Sequence, residues 1–213
     1  MRLTFAALIV ICTVAAGPAT AKADGWYFSE AFGHTEVTDE MATQFSDSVF
    51  TARLAIGRQV GPWAIDAYLQ IQDLDGVAAY RGSTFTGLTM GVDARYIMKV
   101  KGPLQVYLRG GLNKMTVNTG DTHYAQNDLR RPLRHDYEGR GITYGAGVRL
   151  SGKVRALGLL YWPMFFLKYG PKVTASIYLD TSQQFVRLHH PTARSLDGRL
   201  STWLIGFSIG GGF

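Results

Sequence analysis

Six charged residues fall at alternate positions of short β-type runs: Arg53, Asp66, Asp93, Arg95, Arg109 and Arg149. In each run the opposite set of residues carries no charge. A charge withdrawn from water is costly unless it is paired and hydrogen-bonded. If this face is enclosed, these residues can therefore do one of two things. They can tie strands together as a structural salt-bridge plug, with Asp93 and Arg95 on one strand and Asp66 and Arg109 on its neighbours. Alternatively they can line a narrow, anion-leaning pore, since arginines outnumber carboxylates four to two in this set. A second cluster holds Arg130, Arg131, Arg134, His135 and Arg140 among Asp128, Asp136 and Glu138. Guanidinium groups bind phosphate and carboxylate bidentately, so this segment is a candidate surface for a polyanion, against the plainer expectation of a solvated loop.

Groups suited to catalysis are scattered. His34, Asp73, Asp75 and Ser83 supply an imidazole, carboxylates and a hydroxyl, the parts an acyl-transfer site would need, but their spacing does not assemble them. His189 and His190 are adjacent, so on a strand they point to opposite faces, and no carboxylate lies close in sequence. The single cysteine is Cys12, which excludes a disulfide framework and any cysteine-based metal site. No catalytic, cofactor-binding or metal-ligating residue is assigned, and the chain is read as non-enzymatic.

The elements that would position these residues are strands. Phe50, Ala52, Leu54 and Ile56 alternate with Thr51, Arg53, Ala55 and Gly57. Equivalent alternation runs through Trp63–Gln72, Leu88–Met98, Leu104–Asn113, Ile142–Leu150 and Thr202–Phe213. The first run, Trp26–His34, has an ambiguous phase because Glu30 shares a face with Trp26, Phe28 and Phe32. Short turns at Gln59–Pro62, Lys99–Pro103 and Ser151–Lys153 alternate with longer polar segments at Thr35–Asp47, Asp73–Thr84 and Thr116–Gly139. Short connections at one end and long ones at the other describe an up-and-down antiparallel barrel. Val154–Leu167 begins as a strand and then becomes apolar on both faces. The pieces Val173–Leu179 and Gln184–His189 are read as a hairpin inside a long fourth loop, giving eight strands; as two further barrel strands they would give ten.

The chain has 213 residues, with 46% hydrophobic, 18% charged and 25 glycines. Residues 1–23 open with Arg2, continue through the apolar run Phe5–Ala16 and end in small-x-small sites after Gly17-Pro18. This is the pattern of a cleaved signal peptide, leaving 24–213 as one domain. Cleavage falls after Ala21 or Ala23, and the later site lowers the net charge from +6 to +4. No later stretch approaches the ~18 apolar residues of a membrane helix.

Alternation alone does not decide which face meets which solvent. The polar face is crowded with Gly57, Gly91, Gly111, Gly145, Gly147, Gly206, Gly210 and Gly212, which suits a narrow lumen better than a solvated surface. Trp63, Tyr96, Trp203 and Phe213 sit near strand ends on the apolar face, as in the aromatic girdles of membrane barrels. A soluble lipocalin-like binding barrel, with the faces reversed, is the contrary arrangement.

The final run Thr202-Trp203-Leu204-Ile205-Gly206-Phe207-Ser208-Ile209-Gly210-Gly211-Gly212-Phe213 resembles the C-terminal strand of bacterial outer-membrane β-barrel proteins. Gly25-Trp26-Tyr27-Phe28 is similar to the first strand of small OmpA- or OmpW-like barrels. The resemblance covers essentially all of 25–213. It implies an all-β transmembrane barrel in the bacterial outer membrane, with Trp203, Phe207 and Phe213 read by the barrel assembly machinery. It also implies a structural, surface-interaction or narrow-pore role among outer-membrane lipids and lipopolysaccharide, as a monomer. An outer-membrane lipid-modifying enzyme of acyltransferase or deacylase type is the alternative. Nucleic acid is not expected as a partner.

Overall fold

A computed structural model of the chain describes residues 25–78, 81, 83–118, 123–126, 129–132, 136–153, 173–191 and 193–211. The segment 1–23 and Phe213 lie outside the described residues. Ten strands follow in order: β1 (Gly25–Asp39), β2 (Ser48–Val60), β3 (Trp63–Asp75), β4 (Thr84–Lys101), β5 (Leu104–Asn118), β6 (His123–Gln126), β7 (Leu129–Pro132), β8 (Tyr137–Lys153), β9 (Val173–His189) and β10 (Leu196–Gly211). Eight of them close into an antiparallel barrel, each paired with its neighbours in the order β1-β2-β3-β4-β5-β8-β9-β10, with β10 returning to β1. The closing seam runs unbroken from Trp26 opposite Gly211 to Asp39 opposite Gly198. β6 and β7 form a separate two-stranded sheet.

Two of the short turns are set by Gly61 and Gly102, at φ 58° and 55°. This left-handed conformation favours glycine, and Pro62 and Pro103 follow at once. At the opposite end, a 3-10 turn at Glu40–Thr43 links β1 to β2.

Two expectations about the later chain change. Val173–Leu179 and Gln184–His189 are not a loop hairpin but one continuous barrel strand, β9, paired along its length with both β8 and β10. Outward Thr181 and Gln183 interrupt its apolar face and make it look broken, yet the period of two stays in phase: Tyr178, Asp180, Ser182 and Gln184 are all buried inside. Ser151–Lys153 is not a turn; it is the last part of β8, opposite Ser176–Thr174. β9 is thus the seventh barrel strand along the chain, while Val154–Leu167 lies outside the described residues.

The two faces are sharply sorted. Leu112 is 70% exposed and Ile65 61%, whereas Asp66 and Asp93 are 0% exposed. Water outside would leave a continuous apolar wall solvated around the whole barrel, so a soluble lipocalin-like arrangement is excluded. Aromatic residues rim both ends of this wall. Trp63 and Tyr96 lie 4.8 Å apart, ring centre to ring centre, at the short-turn end. Phe32 stacks on Phe50 at 6.4 Å toward the other, where Trp203 also sits. The first strand resolves its phase with Glu30 outward and exposed, between Leu54 and Phe207.

Candidate functional site

The lumen is filled in two tiers. The lower tier is a charge network. Asp93 on β4 accepts hydrogen bonds from Arg53 on β2 and Arg109 on β5, each at 2.7 Å. Arg109 also reaches Asp180 on β9 at 3.2 Å. Arg95 on β4 pairs with Asp66 on β3. Arg149 on β8 donates to Gln105 Oε1 at 2.9 and 2.6 Å and to Gln59 Oε1 at 3.1 Å. The guanidinium of Arg53 lies 3.9 Å from the ring centre of Tyr68, and that of Arg95 5.2 Å from Tyr107. The network therefore spans six of the eight barrel strands.

Asp180 is the member that the sequence concealed, because it fell within the segment read as a loop hairpin. With it the arginines number four against three aspartates, Asp66, Asp93 and Asp180, all buried. The surplus positive charge that favoured an anion pore shrinks to one guanidinium, Arg149, which is held by neutral amides.

Space for these long side chains comes from a repeated cross-strand pair. Tyr27 faces Gly57, Tyr68 faces Gly91, Tyr107 faces Gly147 and Tyr178 faces Gly206, each on the neighbouring strand. A Cβ at Gly147 would stand 2.3 Å from the Tyr107 ring, so the ring lies on the bare backbone. Each tyrosine thus covers a glycine that would otherwise weaken the strand.

The upper tier is apolar. Val37, Val49, Leu74, Phe85, Met115, Val117, Tyr137, Leu188 and Leu200 line it, and Met41 and Phe45 fill it from the β1–β2 connection. Both inserted side chains are 0% exposed. Phe45 meets Phe85 edge-on at 5.2 Å. The segment Thr35–Asp47 is therefore not simply a polar loop. Its visible signal was Val37, Met41 and Phe45, apolar residues four positions apart amid mostly polar ones. Between the tiers lies a polar layer in which Thr35 contacts Thr51 at 2.7 Å and Thr202 at 2.8 Å, and Gln184 donates to Asn113 at 3.3 Å.

The second arginine cluster divides. Arg130 and Arg131 fall on β7, and Arg134 lies outside the described residues. Arg140 belongs to the barrel wall on β8, exposed and outward, beside Lys114 and Arg187. Nearby, Arg187 holds Asp197 at 2.6 and 3.0 Å. Those two bonds keep the exposed Asp197 carboxyl below its ordinary range.

The scattered catalytic candidates stay scattered. His34 Nε2 contacts Ser48 Oγ at 2.8 Å, not Ser83, Asp73 or Asp75, and among the described residues no carboxylate is bonded to its ring. His189 is exposed and bonds Ser195 at 3.0 Å, while His190 is buried and accepts from the Ala193 amide at 2.9 Å. The two rings point apart. Of the terminal-strand residues, Trp203 is exposed on the outer wall, Phe207 is half-buried on the same face, and Phe213 lies outside the described residues.

A closed eight-stranded barrel with apolar residues outward and a polar, charged lumen is a transmembrane β-barrel of the outer-membrane type. Comparison with solved structures agrees on the fold. Neisserial surface protein A is similar at a TM-score of 0.50 and 14% identity, covering 87% of this chain and 96% of its own. The attachment invasion locus protein Ail of Yersinia pestis gives 0.48 and 10%, covering 88% and 99%. The N-terminal β-barrel domain of Pseudomonas aeruginosa OprF gives 0.38 and 16%, covering 89% and 98%. No family model and no curated protein matches the chain.

Proposed function

We propose that this chain is a closed outer-membrane barrel whose working surfaces are its outer wall and its long-loop end, not its lumen. Residues 1–23 act as the export signal. The terminal strand, with Trp203, Phe207 and Phe213, engages the barrel assembly machinery. The mature barrel stands as a monomer among outer-membrane lipids and lipopolysaccharide, in a structural or surface-interaction role and without catalysis. The observation that carries this reading is the double filling of the lumen: paired arginines and aspartates below, and an apolar core closed by Met41 and Phe45 above. An eight-stranded interior is just wide enough for side chains to fill, and a solute would have to displace both tiers.

Planar-bilayer recording from the folded protein is the direct test. No discrete single-channel steps are expected, and reproducible steps of defined conductance would overturn the closed barrel. Lipid A mass profiles from cells with and without the protein test the non-enzymatic role; they should be identical, and a loss or gain of one acyl chain would reinstate the lipid-modifying alternative.

A further inference from the structure

On one side of the barrel the register sets cations in a row just beyond the apolar band. Lys114 on β5 faces Arg140 on β8, Arg140 faces Arg187 on β9, and Arg187 faces Asp197 on β10. Arg199, also on β10, lies one outward position closer to the band, opposite Phe185. All are exposed on the outer wall. Two of these cations are already neutralised: Lys114 by Glu138 at 2.8 Å, and Arg187 by Asp197. The other two are not. Arg140 has no ion pair or hydrogen bond among the described residues. Among the described residues the Arg199 side chain donates only Nε, to the neutral Gln183 Oε1 at 2.8 Å, and neither terminal nitrogen has a partner there.

Below them the wall changes character at once. Ile142 and Phe185 occupy the next outward positions of β8 and β9, and Tyr144 stacks on Phe185 with ring centres 5.9 Å apart. The Arg199 guanidinium lies 5.7 Å from the Phe185 ring centre. Two inter-strand steps of about 4.8 Å, combined with a two-residue offset of about 6.7 Å along the strand, put Arg140 and Arg199 roughly 12 Å apart on the wall. Two arginine side chains can reach toward each other across that gap onto a single anionic group.

We propose that Arg140 and Arg199, on either side of the Arg187–Asp197 pair, form a binding site for the phosphate-bearing headgroup of an outer-leaflet lipid, whose chains lie on Ile142, Tyr144 and Phe185. The occupant follows from the chemistry. Guanidiniums with unused donors call for a multidentate oxyanion. Their position on the lipid side of the wall, directly above an aromatic floor, requires that the anion carry apolar chains. At this boundary a lipid-facing arginine is tolerated at little cost, and a lipid phosphate supplies the oxyanion from the leaflet itself. The site rests on the proposal that the outer wall faces lipid; it does not depend on whether the lumen conducts.

The test is native mass spectrometry of the mature barrel refolded into phosphatidylcholine bilayers carrying bisphosphorylated lipid A or its dephosphorylated counterpart. The native protein should retain the bisphosphorylated lipid at least about tenfold better. The double variant Arg140→Gln, Arg199→Gln should lose that preference, whereas Arg58→Gln, at the short-turn end, should keep it. Excess inorganic phosphate should not displace the lipid. Equal retention of the two lipids, unchanged retention by a folded double variant, or displacement by inorganic phosphate would each overturn the proposal. If the double variant does not fold, the comparison of the two lipids on the native protein still decides. Quenching of outward tryptophans by brominated lipid separates the two levels: quenching without lipid A retention removes only this site, and absent quenching removes the lipid-facing wall itself.

Discussion

Asp93 is the residue on which the lumen depends most. One of its oxygens accepts from both Arg53 and Arg109, and all three side chains are nearly or wholly excluded from water. Removing one member of a buried ion pair leaves an uncompensated charge, at a cost of about 3–5 kcal/mol. Asp93→Asn is therefore expected to destabilise the folded barrel by that order, read as a lower urea midpoint in lipid. Asp197→Asn, which breaks the fully exposed pair with Arg187, should leave the midpoint unchanged within error. Glu30 presents the opposite case. It is a carboxylate on the outward face with Phe28 and Phe32, flanked by Leu54 and Phe207. Acidic residues facing lipid near mid-bilayer cost less than the ~2–4 kcal/mol of Arg or Lys. Glu30→Leu should therefore stabilise the barrel by about 1–2 kcal/mol in the same assay, and a loss of stability would show that Glu30 has a partner on the outer wall.

At the scale of elements, the β1–β2 connection and β9 decide what the barrel can do. The 3-10 turn at Glu40–Thr43 places Met41 inward, and Phe45 follows it into the mouth. Truncating a fully buried aromatic leaves a cavity worth about 3–5 kcal/mol. Phe45→Ala should lower stability by that order and open the long-loop end to protease while the strands remain paired. If stability and protease resistance are unaffected, the plug is not a structural closure. β9 matters for a different reason. A strand broken into two pieces on paper hid Asp180 from the lumen, and with it the third carboxylate that nearly balances the arginines. The Tyr–Gly pairs were legible as residue types on one face of each strand. Their pairing was not, because it depends on which strand stands next and in what register.

At the scale of the whole molecule, the sorting of faces says which solvent surrounds the barrel. Trp26, Trp63 and Trp203 are each at least 50% exposed on the outward wall. Lipids brominated along their chains should quench their fluorescence strongly. The quenching should fall in proportion as each is replaced by Phe, which identifies the wall rather than a loop as the lipid contact.

The alternation of apolar and polar residues, the glycines gathered on the polar face and the aromatics near strand ends were enough, read along the chain, to define an all-β membrane barrel, but not which segments make its eight strands. Those features are local: a period of two, a turn at Gly61-Pro62 or Gly102-Pro103 and a side chain's own polarity need no knowledge of distant residues. The lower-lumen charges other than Asp180 were visible for the same reason. Tertiary structure alone decided the rest. Arg53, Asp93, Arg109 and Asp180 come from four strands, and only barrel closure brings their charges within bonding distance. Met41 and Phe45 look like loop residues until the mouth they fill exists. Lys114, Arg140, Arg187 and Arg199 are separated by up to 85 positions in the chain, and the register of four paired strands makes them one patch beside a lipid-facing floor.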